Sequence, residues 1–507
     1  MRIFVLYFVA MQHTQPTTLE KHFARFRKNI VGIDQRFSSP YGEKTIVYTD
    51  WTASGRLYRP IEEKMLFDFG PFVANTHTDT NVTGSSMTAA YHHAKEIVKK
   101  HVHASKDDVL IFSGTGMTGV VNKLQRMLGI KLPENMQPFT HIPDEMRPVV
   151  FVSHMEHHSN QTSWYETIAD VVVIPSDEAG LFSLAALESL LLQYQDRQMK
   201  ICAITSGSNV TGLMTPYHEV AKLMHRNGGL CFVDFACSGP YIHIDMHPAD
   251  PEAYLDAIYF SPHKFLGGPG TSGVLVFNKQ LYKNSVPDCP GGGTVVYTNP
   301  WGLNAYIDDI EEREDGGTPG FLQAIRTALC IQLKEQMGVD NILAREHELL
   351  EQLFERLERL PNLHVLAGQH KNRLGVVSFF IDDLHFNLAV KLLNDRFGIQ
   401  TRGGCSCAGT YGHYLLNVDE DTSRSLLEQI QHGHLEVKPG WVRLSIHPTT
   451  TDAELAYVCD ALEALCANHH IWAADYRYDA KSNTFKHLTA ADVDADRVVE
   501  WFGLAMG

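Results

Sequence analysis

Two ionisable residues placed where strands end carry the strongest chemical signal in this chain. Asp234 closes a β-branched run at 230–234, and Lys264 follows the next such run, at 257–260. Ligands of parallel sheets sit at the carboxyl ends of strands, so on neighbouring strands both residues face one crevice. A carboxylate there is costly unless it meets a cation. A lysine there is a Schiff-base candidate. Together they form the protein's half of pyridoxal-phosphate (PLP) chemistry: a carboxylate for the pyridinium nitrogen and an amine for the imine. A plain Asp–Lys ion pair would use the same two residues.

Other strand ends add to this. After 109–112 comes Ser113-Gly114-Thr115-Gly116-Met117-Thr118-Gly119, then a helical pattern. Small residues at a helix start leave backbone N–H groups open to an anion, so the turn suits a phosphate at Thr115 and Gly116. It lacks the Gly-Lys-Ser/Thr ending of a P-loop, and an ordinary Gly-rich turn fits as well. After 149–152 the chain runs Ser153-His154-Met155-Glu156-His157-His158-Ser159-Asn160. The spacing is not that of a helical zinc pair, so no metal is expected. A histidine laid against a ring ligand is the functional reading there, and a hydrogen-bonded structural histidine the alternative. Ser206 to Gly212, containing Asn209, follows the run at 201–205.

These positions need a scaffold. Short β-branched runs at 109–112, 149–152, 171–174, 201–205, 230–234, 257–260 and 274–277 alternate with helical patterns at 118–128, 184–194 and 217–226. Strands alternating with helices predict a largely parallel sheet covered on both faces. A Pro/Gly-rich stretch at 287–293 and an acidic turn at 308–315 precede long helical patterns at 321–337 and 341–360. Strand-like 376–381 and 442–446 and a last helix, opened by a capping box from Thr451 to Glu454, predict a second domain. The expected division is an N-terminal segment 1–44, a large domain 45–315, a small domain 316–470 and an extension 471–507.

Composition narrows the partners. The chain has 507 residues, 44% apolar and 20% charged, which excludes global disorder. With 43 Lys+Arg against 59 Asp+Glu the formal charge is −16. Nucleic acid and anionic membranes need a basic face, so neither is an expected partner. No apolar run approaches the roughly 18 residues of a membrane span. Nine irregularly spaced cysteines do not make a disulfide framework and point to a reduced, cytoplasmic setting. Residues 1–10 could pass for a short signal region, but only Arg2 precedes the apolar run. A start at Met11 or a loose tail is the expectation.

In this order the motifs resemble the class V aminotransferase family of fold-type-I PLP enzymes, and within it the cysteine desulfurase/selenocysteine lyase branch. They are GTG at 114–116, EHHSN at 156–160, SNVTG at 208–212, VDFA at 233–236, SPHK at 261–264, GGTP at 316–319 and VRLS at 442–445. The likeness spans about residues 45–465. It implies an α/β fold, with a mostly parallel seven-stranded sheet in a large PLP-binding domain and a smaller C-terminal α+β domain. It also implies PLP as cofactor and an amino acid as substrate. Residue by residue, Lys264 matches the Schiff-base lysine, Asp234 the partner of the ring nitrogen and His157 the histidine stacked on the ring. Thr115, Gly116, Ser261 and His263 match phosphate ligands. Thr318 matches a phosphate contact from a neighbouring subunit, which implies a homodimer. Asn209 matches a residue near the phenolic oxygen and the substrate carboxylate. Arg443 matches the arginine that clamps that carboxylate, a job suited to a bidentate guanidinium.

A desulfurase also needs a cysteine thiolate that takes sulfur as a persulfide. The segment 401–409 lies where the family keeps it and aligns Cys407 with that nucleophile. Gly403, Gly404 and Gly409 suggest a flexible loop, Arg402 could lower a thiol pKa, and Cys405 could act instead or resolve a disulfide. The expectation is conversion of L-cysteine to L-alanine with a persulfide on Cys407, passed to a sulfur-accepting protein. The alternative is an aminotransferase, epimerase or β-lyase without persulfide chemistry. Three departures from the family bear on the substrate. Cys237 stands where a glutamine is usual, the stretch 411–439 is long, and there is a Pro-rich insertion at 133–148 together with a tail beyond 470.

Overall fold

The structure is a computed structural model that describes residues 17–76, 78, 80–490 and 495–504. The apolar residues 1–10 and the alternative start at Met11 lie outside these. All seven expected strands form, as β1 (Asp108–Ser113), β2 (Val149–Ser153), β3 (Asp170–Ile174), β4 (Lys200–Thr205), β5 (Leu230–Asp234), β6 (Ala257–Phe260) and β7 (Gly273–Asn278). They make one sheet in the order β1-β7-β6-β5-β4-β2-β3. Only β7 runs against its neighbours, pairing antiparallel with β1 and β6. The mostly parallel seven-stranded sheet is therefore as expected.

Alternate residues of each strand enter opposite cores, as the pleat requires. Val149, Phe151, Cys202 and Ile204 face one core, and Val150, Val152, Ile201 and Ala203 face the other. Because both faces are covered, the strands read as continuous apolar runs rather than alternating ones. Helix α1 (Gly116–Met127) supplies Met117, Val120, Val121 and Leu124 to the second of these cores. Helices α2 (Tyr217–Arg226) and α3 (Phe321–Met337) pack into the first. Each such fully buried side chain contributes about 1.5–3 kcal/mol.

A further core surrounds a four-stranded antiparallel sheet of β8 (Leu363–Val365), β9 (Val376–Ile381), β10 (Arg402–Gly404) and β11 (Trp441–Ser445), in the order β8-β9-β11-β10. Helices α4 (Val339–Leu357) and α7 (Asp452–Trp472) cover it. The expected cap is present, with Thr451 Oγ1 accepting from Glu454 N at 3.1 Å. Between β10 and β11 the long stretch folds into α5 (Gly409–Leu415) and α6 (Glu420–Gln431), and α6 has no buried residue. The 133–148 insertion holds two short 3₁₀ turns, and the tail carries a hairpin of Tyr476–Asp479 and Thr484–His487. Among the described residues no helix is long and apolar enough to cross a membrane.

Two links join these bodies at the crevice. Val47–Tyr48 pairs parallel with Ile399–Gln400, and Asp50 bridges to Ser445 just beyond. This carries the N-terminal Asp50 to the edge of the smaller sheet, beside the carboxyl ends of β4, β5 and β6.

Candidate active site

Nine of the eleven residues that the resemblance assigns to the site line one cavity. They are Thr115, His157, Asn209, Asp234 and Ser261, with His263, Lys264, Cys407 and Arg443. Gly116 lies directly behind the wall, where a Cβ would stand 2.8 Å from Ser261 Oγ. Thr318 is exposed and is not among the lining residues. Sequence reasoning assigned no role to Thr52, Ala53, Thr118, Ser159 or Thr205, which also line the cavity. Thr118 and Ser159 share a hydrogen bond at 2.6 Å, and their hydroxyl types beside the Gly-rich turn and EHHSN were a readable signal.

One end of the cavity is formed by the start of helix α1. Helix α1 starts at Gly116 with no side-chain cap from Thr115. Its first-turn amide Met117 N donates to Ser261 Oγ at 2.8 Å. Gly116 has φ 63°, a left-handed turn that glycine adopts without penalty. Opposite it, a Cβ on Gly273 would sit 2.0 Å from Gly116 O, so β7 can approach this turn only as glycine. His263 is held neutral, at about 4, by burial and by the neighbouring Lys264.

The middle of the cavity holds the Asp–Lys pair. Asp234 Oδ1 accepts from Ala236 N at 2.8 Å, while its carboxyl is buried. Burial raises its pKa to about 6, against the Ala236 amide and the Lys264 charge, which lower it. Lys264 is pushed below the ordinary lysine range, chiefly by burial. Its ammonium donates no hydrogen bond to any described residue. His157 Nδ1 accepts from Ser159 N at 3.1 Å, and burial next to Lys264 lowers its pKa to about 3, so the ring is neutral. Cys237 lies alongside, its thiol raised to about 11 by burial and donating to Ser208 O at 3.6 Å.

Beneath His157 a buried network sets the loop. Glu156 Oε1 accepts from Thr205 N at 2.8 Å and Oε2 from Asn160 Nδ2 at 2.7 Å, with Ser153 Oγ donating to Oε1 as well. Tyr259 donates to Asn160 Oδ1 at 2.6 Å. Burial raises Glu156 to about 8. The network ties the ends of β2, β4 and β6 together and so fixes where His157 stands.

The far end carries guanidinium groups. Arg443 Nη2 bonds Asp50 Oδ1 at 2.8 Å and Nη1 donates to Asn209 O at 3.2 Å, while its Nε is buried without a partner among the described residues. Arg402 Nε bonds the other oxygen, Asp50 Oδ2, at 3.1 Å. Asn209 Nδ2 donates to Ser406 O at 2.7 Å, joining this end to the cysteine segment. There Cys407 is exposed and lines the cavity, whereas Cys405 is half-buried and packs against the first core. Gly403 and Gly404 are paired in β10 against Val442 and Trp441, so the irregular part of this segment is 405–408. No group of three or more His, Cys, Asp or Glu placed to hold a metal occurs among the described residues.

Comparisons with known proteins bear on the family and the fold. Residues 47–458 match the family model described as aminotransferase class-V. A protein of Halalkalibacterium halodurans named "Probable cysteine desulfurase" is 29% identical over 398 residues, covering 74% of this chain and 90% of its own. A protein of the same name from Staphylococcus epidermidis is 28% identical over 372 residues, covering 72% and 84%. Among solved structures, the apo cysteine desulfurase of Thermococcus onnurineus superposes with TM-score 0.70 at 21% identity, over 88% of this chain and 98% of its own.

Proposed function

The chain belongs to the class V aminotransferase family, and from that membership we propose that it is a PLP-dependent cysteine desulfurase. It would convert L-cysteine to L-alanine and leave the sulfur as a persulfide on Cys407. The observation that carries this reading is that Cys407 lines the same cavity as Lys264, Asp234, His157 and Arg443. The names of the similar proteins support it.

The residues fit PLP. The uncapped start of α1, with Thr115, Ser261 and His263 around it, would hold the phosphate. Asp234, with one oxygen not bonded to any described residue, would hold the ring nitrogen, and neutral His157 would lie on the ring. Lys264 would supply the amine. When bound, the cofactor acts as an electron sink that acidifies the amino acid's Cα–H.

The chain's own residues supply the rest. Arg443 would bind the substrate carboxylate, with Asn209 holding its guanidinium in place. Lys264, kept below the ordinary ammonium range, is suited to take a proton at Cα and to give one back. Cys407 Sγ would attack the substrate sulfur. The Sγ–S bond forms, the Cβ–S bond breaks with its electron pair left on carbon, and a proton delivered there completes alanine. Thr318, exposed on its own chain, would serve the phosphate of a second copy in a homodimer. A cytoplasmic setting and a sulfur-accepting protein partner belong to the same reading.

The test is to add L-cysteine to PLP-loaded protein with a reductant and to measure alanine and sulfide for wild type and Cys407→Ala. Both products from wild type, lost in the variant, support the reading. No alanine from a wild type whose lysine–cofactor absorbance is intact would move the protein to another amino acid. Alanine from the variant at the wild-type rate would rule out the persulfide role.

A further inference from the structure

The segment that carries Cys407 stands in a conformation it cannot hold alone. Ser406 (φ 51°) and Cys407 (φ 57°) are consecutive non-glycine residues in the left-handed region, which L residues avoid. Such backbone persists only where the surroundings over-determine it. Asn209 Nδ2 holds the Ser406 carbonyl. On the other side His158 makes two bonds, its backbone N donating to Cys407 O at 2.7 Å and its ring Nε2 accepting from Gly409 N at 2.9 Å. Thr410 Oγ1 donates to Gln161 Oε1 at 2.8 Å one step further on.

We infer that His158 is a positioning residue for Cys407, its ring latching the Gly409 amide so that the strained Ser406–Cys407 pair keeps its place at the cavity. The inference deepens the persulfide reading and rests on Cys407 being the sulfur acceptor. The latch needs an unprotonated Nε2, since a protonated ring has no acceptor. Burial and the Lys438 cation favour that state by lowering the pKa of His158. A side chain at position 409 would press on the ring, with its Cβ 3.1 Å from Nε2, so glycine there keeps the contact open.

The experiment compares wild type, His158→Ala and His158→Gln as PLP-loaded enzymes. Amide hydrogen exchange over 405–411 is read together with kcat and KM for alanine formation from L-cysteine. A glutamine carbonyl can reach the Gly409 amide where alanine cannot. His158→Ala is expected to exchange about threefold to tenfold faster over this segment, the opening that follows loss of one net hydrogen bond. Its kcat should fall by a similar factor with KM unchanged, and His158→Gln should return both toward wild type. Exchange in His158→Ala equal to wild type, or as fast in His158→Gln as in His158→Ala, would overturn the inference. If wild type makes no alanine, the desulfurase reading fails while the exchange comparison still decides the latch.

Discussion

Asp50 holds Arg443 with one carboxylate oxygen at 2.8 Å and Arg402 with the other at 3.1 Å, across a register position where these two arginines face each other on neighbouring strands. Like charges directly opposite in an antiparallel pair repel. Asp50 reaches them from the N-terminal part of the chain and turns a repulsive pair into an aligned one, with Arg443 buried and lining the cavity.

Replacing Asp50 by Asn removes the charge but keeps the shape. Arg402 and Arg443 should then drift apart, and KM for the amino acid should rise about tenfold, with a smaller change in kcat. Steady-state alanine formation measures both. A KM within about twofold of wild type would mean that Asp50 does not set the clamp.

The two cysteines of the 405–408 segment should separate cleanly. Cys407→Ala is expected to lose persulfide, seen by mass spectrometry of the peptide after L-cysteine. Cys405→Ala should keep alanine formation and lose only about 1 kcal/mol of stability, because Cys405 packs on the core. Persulfide found on Cys405 in wild type would reverse the assignment.

Gly273→Ala tests the phosphate end from the opposite strand. The added methyl meets Gly116 O, so the turn must shift. We expect weaker PLP retention on dialysis and a loss of about 1–3 kcal/mol in denaturant unfolding. Normal retention would show that the turn does not hold the cofactor.

Acid should destabilise the fold through His447. It is buried, stacked on Trp51 at 4.1 Å, and its pKa is lowered from 6.5 to about 3 by burial and by Arg27. The neutral ring's contribution is complete above 6.5 and is lost as pH falls toward the folded value. Across that window it amounts to about 1.4 kcal/mol per pH unit. His447→Asn should lower stability at neutral pH yet flatten the acid limb by that slope, as chemical denaturation at several pH values would show.

Asp234 acts in the opposite direction. Its pKa rises from 3.8 to about 6 on folding, so its contribution is complete below 3.8 and lost as pH rises through the folded value. In PLP-free protein at pH 7, Asp234→Asn should therefore be more stable, by up to about 2–3 kcal/mol. In the loaded enzyme it should turn over far more slowly. A variant that is both less stable and fully active would contradict this role for the buried carboxyl.

Much of this was legible along the chain. The β-branched runs and their turn-ended helices are local properties, and all seven strands of the large sheet formed where their periodicity placed them. Because parallel sheets bind at strand ends, the residues at the end of each run were the right ones to inspect, and Thr115, His157, Asn209, Asp234, Ser261, His263 and Lys264 line the cavity there. The glycines at 403 and 404 misled, because in sequence they look like a flexible loop. In the fold they are strand residues, and Gly403 is close-packed against Asn387 and Phe386.

The sequence by itself determined the kind of chemistry, since residue type and distance from a strand end are written in one dimension. Only the tertiary structure decided which groups hold which. Asp50 sits far from Arg402 and Arg443 in the chain, Gly273 far from Gly116, and His158 far from Gly409. Those contacts come from strand register and the close approach of two cores, so no local spacing could announce them.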